Sequence, residues 1–121
     1  MKKKILIVDD EKLLRDSLLE FLKDDLYEIE SVTNGREAID FLNRQKIDLL
    51  MTDIIMPEME GMELIRIVRR KFPNLPIIVM SGNTMGYDYL EAARLLGAKE
   101  SIRKPIDLGS IKKTVMKYMI D

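Results

Sequence analysis

Five side chains in this sequence can do chemistry together: Asp9, Asp10, Asp53, Ser81 and Lys104. The 121 residues include no His and no Cys. That removes Ser/His/Asp triads, imidazole bases, Cys nucleophiles, disulfides, and zinc held by His or thiolate. Carboxylate, hydroxyl, ammonium and backbone chemistry are left. Three carboxylates gathered at one partly buried place repel one another strongly, and protons or a cation must relieve them. An oxygen-only ligand set selects a hard cation. Mg2+ is favoured because it needs few protein ligands and keeps positions open for water or phosphoryl oxygens. A cation, an ammonium and a hydroxyl converging on one carboxylate suit phosphoryl transfer, where catalysis is mostly positioning and charge neutralisation. A carboxylate can itself be the nucleophile and form an acyl phosphate, and Asp53 is the natural candidate.

The apolar pattern gives the elements that must position these groups. Ile5–Val8 is a continuous apolar run, as in a strand covered on both faces. Lys12–Lys23 carries Leu14, Leu18, Phe21 and Leu22 on one helical face. Tyr27–Val32 alternates, as a strand nearer a sheet edge does. Asn34 and Glu37 read as a capping box opening a helix with Ala38, Ile39 and Leu42 inward. Ile47–Thr52 is a third strand; a loop with Pro57 and Gly61 leads to a helix carrying Leu64, Ile65, Val68 and Phe72. Ile77–Met80 is a fourth strand, and Tyr89–Leu96 a helix that Gly97 closes at the C′ position. Glu100–Arg103 is a short fifth strand. Asp107 caps a last helix with Leu108, Ile111, Val115 and Met119 inward and Lys112, Lys113 and Lys117 outward. Such alternation implies an α/β fold, a parallel sheet with helices on both faces.

Asp9 and Asp10 follow the first strand, Asp53 the third, Ser81 the fourth and Lys104 the fifth. In a parallel α/β sheet these strand ends share one edge, and ligands bind there where the strand order reverses. Singly, the residues say less. Asp9 or Asp10 would serve equally as a cap of the first helix, Asp53 as a turn residue, and Ser81 and Lys104 are commonplace. Their joint placement at four strand ends is what points to a site.

The net charge of −1 argues against a chain whose main task is holding nucleic-acid phosphates. Residues 1–60 carry 9 basic and 15 acidic side chains, and residues 61–121 carry 11 and 6. With the two halves at opposite edges of one sheet, the molecule would be a dipole. The run Ile5–Val8 after Lys2–Lys4 is too short for a signal sequence. No apolar stretch approaches the ~18 residues of a membrane span. The sequence reads as one cytoplasmic domain over residues 1–121, with no output domain, no membrane insertion and no direct nucleic-acid contact.

These residues resemble the receiver domains of two-component response regulators, chemotaxis regulators among them. The resemblance covers essentially the whole chain. Its specific parts are Ile5-Leu6-Ile7-Val8-Asp9-Asp10-Glu11, then Asp53-Ile54-Ile55-Met56-Pro57-Glu58-Met59-Glu60-Gly61-Met62-Glu63-Leu64, and Lys104-Pro105. Asn34-Gly35-Arg36-Glu37-Ala38 is a supporting match. The resemblance implies a flavodoxin-like (βα)5 fold, a single doubly wound sheet of five parallel strands in the order 2-1-3-4-5. It implies that Asp53 accepts a phosphoryl group from the phosphohistidine of a sensor histidine kinase or a phosphotransfer protein. Asp10, with Asp9 behind it, would bind Mg2+ together with Asp53 and the backbone carbonyl of Ile55. Ser81 would bond a phosphoryl oxygen after transfer. Lys104 would pair first with the acceptor carboxylate and then with the phosphoryl group, and the Lys104-Pro105 bond would be cis. A downstream protein target would meet the face made by the fourth helix, fifth strand and fifth helix. Such a protein is a phosphoacceptor with slow autodephosphorylation, not a turnover enzyme.

Two departures from the family pattern stand out. An aromatic residue often lies three positions before the lysine; here that switch position is Ser101, so an aromatic rotamer switch is not available. Two positions beyond the acceptor lies Ile55, which cannot hydrogen-bond an attacking water, leaving Asn83 as a helper and implying a long-lived phospho-Asp53. Rival readings fit less well. A haloacid-dehalogenase-type phosphatase needs a second Asp where Ile55 stands. A flavin or nucleotide module wants a phosphate-cradling glycine loop, and neither Gly-Lys-Ser/Thr nor G-x-G-x-x-G occurs. A pseudo-receiver serving only as a docking module is the alternative that the complete residue set argues against.

Overall fold

The computed structural model describes residues 2–24, 27–54, 61–82 and 89–119. Strand and helix alternate as β1 (Lys3–Val8), α1 (Lys12–Leu22), β2 (Tyr27–Val32), α2 (Gly35–Arg44), β3 (Leu49–Asp53), α3 (Gly61–Lys71), β4 (Ile77–Ser81), α4 (Tyr89–Leu95), β5 (Glu100–Arg103) and α5 (Leu108–Met119). The strands form one five-stranded sheet in the order β2-β1-β3-β4-β5, and every pairing is parallel. This is the doubly wound architecture expected from the sequence. The acid-rich first half of the chain supplies the β2 side of the sheet and the base-rich second half the β5 side.

The period of two along each strand divides the apolar residues between two cores. Leu6, Val8, Leu50, Ile77 and Val79 face α2, α3 and α4, where Ala38, Leu64, Ile65, Val68 and Ala93 meet them. Ile5, Ile7, Met51, Ile78 and Met80 face α1 and α5, meeting Leu18, Leu22, Ile111 and Val115. Every residue of β3 and β4 is buried, which is why Leu49–Met51 and Ile77–Met80 are apolar at every position.

Several boundaries shift for local reasons. β1 begins at Lys3 because Lys3 and Lys4 pair with Tyr27 and Glu28 of β2. β3 begins at Leu49 rather than Ile47. Asp48, just before it, donates its N–H to the Lys4 carbonyl (2.9 Å) and accepts the Lys4 N–H on its carboxylate (2.8 Å). Phe21 is not part of the inner face of α1. The buried stripe centres on Leu18 and Leu22, which leaves Phe21 at the rim with the Lys112 ammonium 5.8 Å from its ring centroid.

The caps behave as the sequence suggests, with one difference. The Asn34 side chain accepts the Glu37 N–H at 2.9 Å. Glu37 reaches back to the Thr33 N–H (2.7 Å) and hydroxyl (2.5 Å), one residue outside the expected box. Those bonds to Thr33 hold the Glu37 carboxyl below its ordinary pKa. Asp107 caps α5 by accepting the Gly109 and Ser110 N–H groups. Gly97 has a φ of 117°, with its N–H on Arg94 O and the Ala98 N–H on Ala93 O, closing α4 in a Schellman turn.

Candidate functional site

The sheet ladders bring the predicted residues to one level. At the C-terminal edge the Asp9 N–H donates to Val32 O (3.2 Å), the Ile54 N–H to Met80 O (3.1 Å) and the Lys104 N–H to Ser81 O (2.8 Å). Each strand therefore releases its chain at the same height. Among the described residues, the buried polar or charged side chains are Asp9, Thr52, Asp53 and Ser81, all at this edge. Buried polar groups cost free energy unless satisfied, so their concentration at one edge marks a site rather than a packing accident.

The geometry is close. One carboxylate oxygen each from Asp9, Asp10 and Asp53 lie within 4.8 Å of one another. Asp9 is fully buried and Asp10 exposed, while the Asp53 side chain keeps 10% of its surface open to solvent. Lys104 Nζ donates to Asp9 Oδ2 at 2.9 Å and to Asp53 Oδ2 at 3.2 Å. Burial pulls the Lys104 pKa down, but the hydrogen bond to Asp9 and the fields of Asp53 and Asp9 outweigh it, so the pKa is raised. The other Asp9 oxygen, Oδ1, accepts the Glu11 N–H at 2.8 Å, which fixes the turn into α1. Ser81 Oγ donates to Gly82 O at 3.3 Å, along its own loop rather than into the carboxylate cluster. The Lys104-Pro105 peptide is cis, as expected.

Backbone packing explains why the motif around Asp53 needs its glycine. The Gly61 N–H donates to Ile54 O at 2.5 Å as α3 begins. A Cβ on Gly61 would overlap the carbonyl oxygen of Asp53 and the Ile54 backbone. The start of α3 thus lies against the main chain of Asp53 and Ile54, an approach open only to glycine.

Two features were not legible in the pattern. The shorter Lys104 contact is to Asp9, not to Asp53. Arg15 donates from Nη1 to the Asp9 carbonyl at 2.8 Å. A basic residue six positions after an acidic strand end, one turn into the helix, was the available signal. Ser101 sits half-buried in β5, opposite Val79. Ile55 and Asn83 lie outside the described residues. The donor chemistry fits Mg2+: three carboxylates within reach of one centre, no nitrogen or sulfur ligand, and an exposed Asp10 on the solvent side.

A doubly wound parallel sheet carrying this carboxylate and lysine set at its C-terminal edge defines a receiver of two-component signalling. The chain belongs to the response regulator receiver domain family, whose model matches residues 5–116. It is 31% identical to sporulation initiation phosphotransferase F of Bacillus subtilis, over 98% of this chain and 95% of that one. It is 32% identical to the transcriptional regulatory protein CrdR of Helicobacter pylori, over 100% of this chain but only 57% of the relative's length. Among solved structures, the chemotaxis response regulator CheY4 of Vibrio cholerae superposes with a TM-score of 0.85 at 27% identity, covering 98% and 99% of the two chains. Among the described residues no helix is long and apolar enough to cross a membrane.

Proposed function

We propose that this receiver is a switch phosphorylated on Asp53 with the help of Mg2+. The observation that carries the reading is the convergence of Asp9, Asp10 and Asp53 on one point, with Lys104 bonded to two of them. An oxygen of Asp53 forms a bond to phosphorus as the N–P bond of a phosphohistidine breaks, the electron pair leaving with the imidazole nitrogen. The donor is a sensor histidine kinase or a phosphotransfer protein. Asp9, Asp10 and Asp53 would hold Mg2+, which would neutralise charge on the transferring group. The Lys104 ammonium moves from the carboxylates to the new phosphoryl oxygens, and Ser81 turns its hydroxyl from Gly82 O to one of them. Asp53 is consumed once per transfer and regenerated by slow hydrolysis, so the chain is a stoichiometric acceptor and not a turnover enzyme.

Phosphorylation adds charge and hydrogen-bonding oxygens beneath α4 and β5. With Ser101 at the switch position, the signal passes through the Ser81 loop and α4 instead of a ring flip. The output surface is the face of α4, β5 and α5, where Leu95 is 81% exposed, and its reader is a protein target.

The test is labelling by a small phosphodonor such as acetyl phosphate. Mg2+-dependent incorporation that Asp53→Ala abolishes supports the reading. No incorporation into the wild-type chain would leave a pseudo-receiver, a docking module without phosphorylation.

A further inference from the structure

We propose that Arg15 is a positioning residue for the metal site, acting through the backbone of Asp9. The inference rests on the reading of Asp9, Asp10 and Asp53 as Mg2+ ligands. Arg15 rises from α1 and donates from Nη1 to the Asp9 carbonyl oxygen at 2.8 Å, in a part-buried setting. That carbonyl belongs to the peptide joining Asp9 to Asp10. A peptide unit is planar, so fixing the direction of its C=O fixes the plane from which the next Cα departs. Asp9 itself is held at every polar atom. Its N–H is on Val32 O, Oδ1 on the Glu11 N–H, Oδ2 on Lys104 Nζ, and its carbonyl on Arg15. Asp10 is exposed and stands outside that lattice, so its carboxylate is aimed by the peptide that Arg15 holds.

Arg15 suits this task through its shape. A planar guanidinium on a long stem can reach back over the first turn of α1 and approach a carbonyl in a fixed direction, which a flexible ammonium does less well. Arg15 also acts on Glu37 through space, as one of the influences lowering its carboxyl pKa.

The two things Arg15 could do to a cation have opposite signs. As a nearby positive charge it repels Mg2+, so its removal tightens binding. As the fixture of the Asp9–Asp10 peptide it preorganises a ligand, so its removal weakens binding. The experiment is Mg2+ titration of the full chain by calorimetry, for wild type, Arg15→Met, which keeps the apolar stem, and Arg15→Lys, with the melting temperature of each measured alongside. Arg15→Met weakens Mg2+ binding roughly tenfold, in the range found when groups that orient metal ligands are removed. Arg15→Lys, keeping the charge but not the planar donor, weakens it too. Unchanged or tighter Mg2+ binding in folded Arg15→Met overturns the inference while leaving the metal site standing. A lowered melting point with unaltered Mg2+ affinity also overturns it, because that is the signature of a purely structural contact. If Arg15→Met does not fold, Arg15→Lys decides alone: affinity equal to wild type rejects the role. Failure of the wild-type chain to bind Mg2+ removes both the inference and the reading beneath it.

Discussion

Lys104 holds its ammonium 2.9 Å from Asp9 and 3.2 Å from Asp53, so a single cation spans both buried carboxylates. The Asp9 side chain is wholly buried and those of Asp53 and Lys104 keep 10% and 20% of their surface. Lys104 thus screens two acids that are largely cut off from water.

Lys104→Met should therefore destabilise the protein by about 1–3 kcal/mol in a chelating buffer, because two buried acceptors lose their donor. Added Mg2+ should restore part of the loss, since a ligand that binds only the folded state stabilises it. Urea denaturation at neutral pH, with chelator and with magnesium, reads both effects. The wild-type contribution has a defined pH sense. The Lys104 pKa is raised in the folded state, so its stabilisation is complete below the unfolded-state pKa and is lost as pH climbs through the folded value.

Gly61→Ala should cost about 1–3 kcal/mol through overpacking, since the new methyl meets the Asp53 carbonyl and the Ile54 backbone. Any relief must displace the main chain of Asp53 and Ile54. Labelling of Asp53 by a small phosphodonor should slow in this variant under conditions where it is still folded. Denaturation midpoints together with initial labelling rates check the pair.

Tyr118 donates its hydroxyl to Glu100 at 2.8 Å. Burial, then the hydrogen bond and the charge of Glu100, push its pKa from 10.0 to about 12. A raised phenol pKa means that the folded state keeps a proton the unfolded state has lost. The stabilisation is present below pH 10 and falls away between pH 10 and about 12. Burial also raises the Tyr27 phenol, so spectrophotometric titration should show more than one late phenol, and Tyr118→Phe should remove one of them. The stability of that variant should decline less steeply across the same window.

Ile55 offers no hydrogen bond to a hydrolytic water, so replacing it by Asn or Glu should shorten the lifetime of phospho-Asp53. A gain of one positioned polar group corresponds to an acceleration on the order of tenfold or more. Phosphate release from the pre-labelled protein measures it, and unchanged or slower release would contradict the assignment.

The fold was legible because its two periodicities are clean. Ile5–Val8, covered on both faces, reads as an unbroken apolar run, and α2, α3 and α5 carry plain stripes. Asp9, Asp53, Ser81 and Lys104 were legible because a parallel sheet leaves few places for polar residues at strand ends. Contacts that depend on side-chain reach were not. Phe21 fits the α1 stripe in projection but lies beyond the edge of the sheet's cover. The preference of Lys104 for Asp9, and the return of Arg15 to a main-chain carbonyl, depend on loop paths that no period encodes. Ser81 pointing along its own loop is likewise a matter of rotamer, invisible in residue type.

The burial of β3 and β4 along their whole length has a mechanical result. A strand gripped by side chains above and below cannot slide without opening voids on both sides of the sheet, and close-packed interiors resist that. The centre of this molecule is accordingly an anvil: Asp53 and Ser81 are set at the ends of strands that resist displacement.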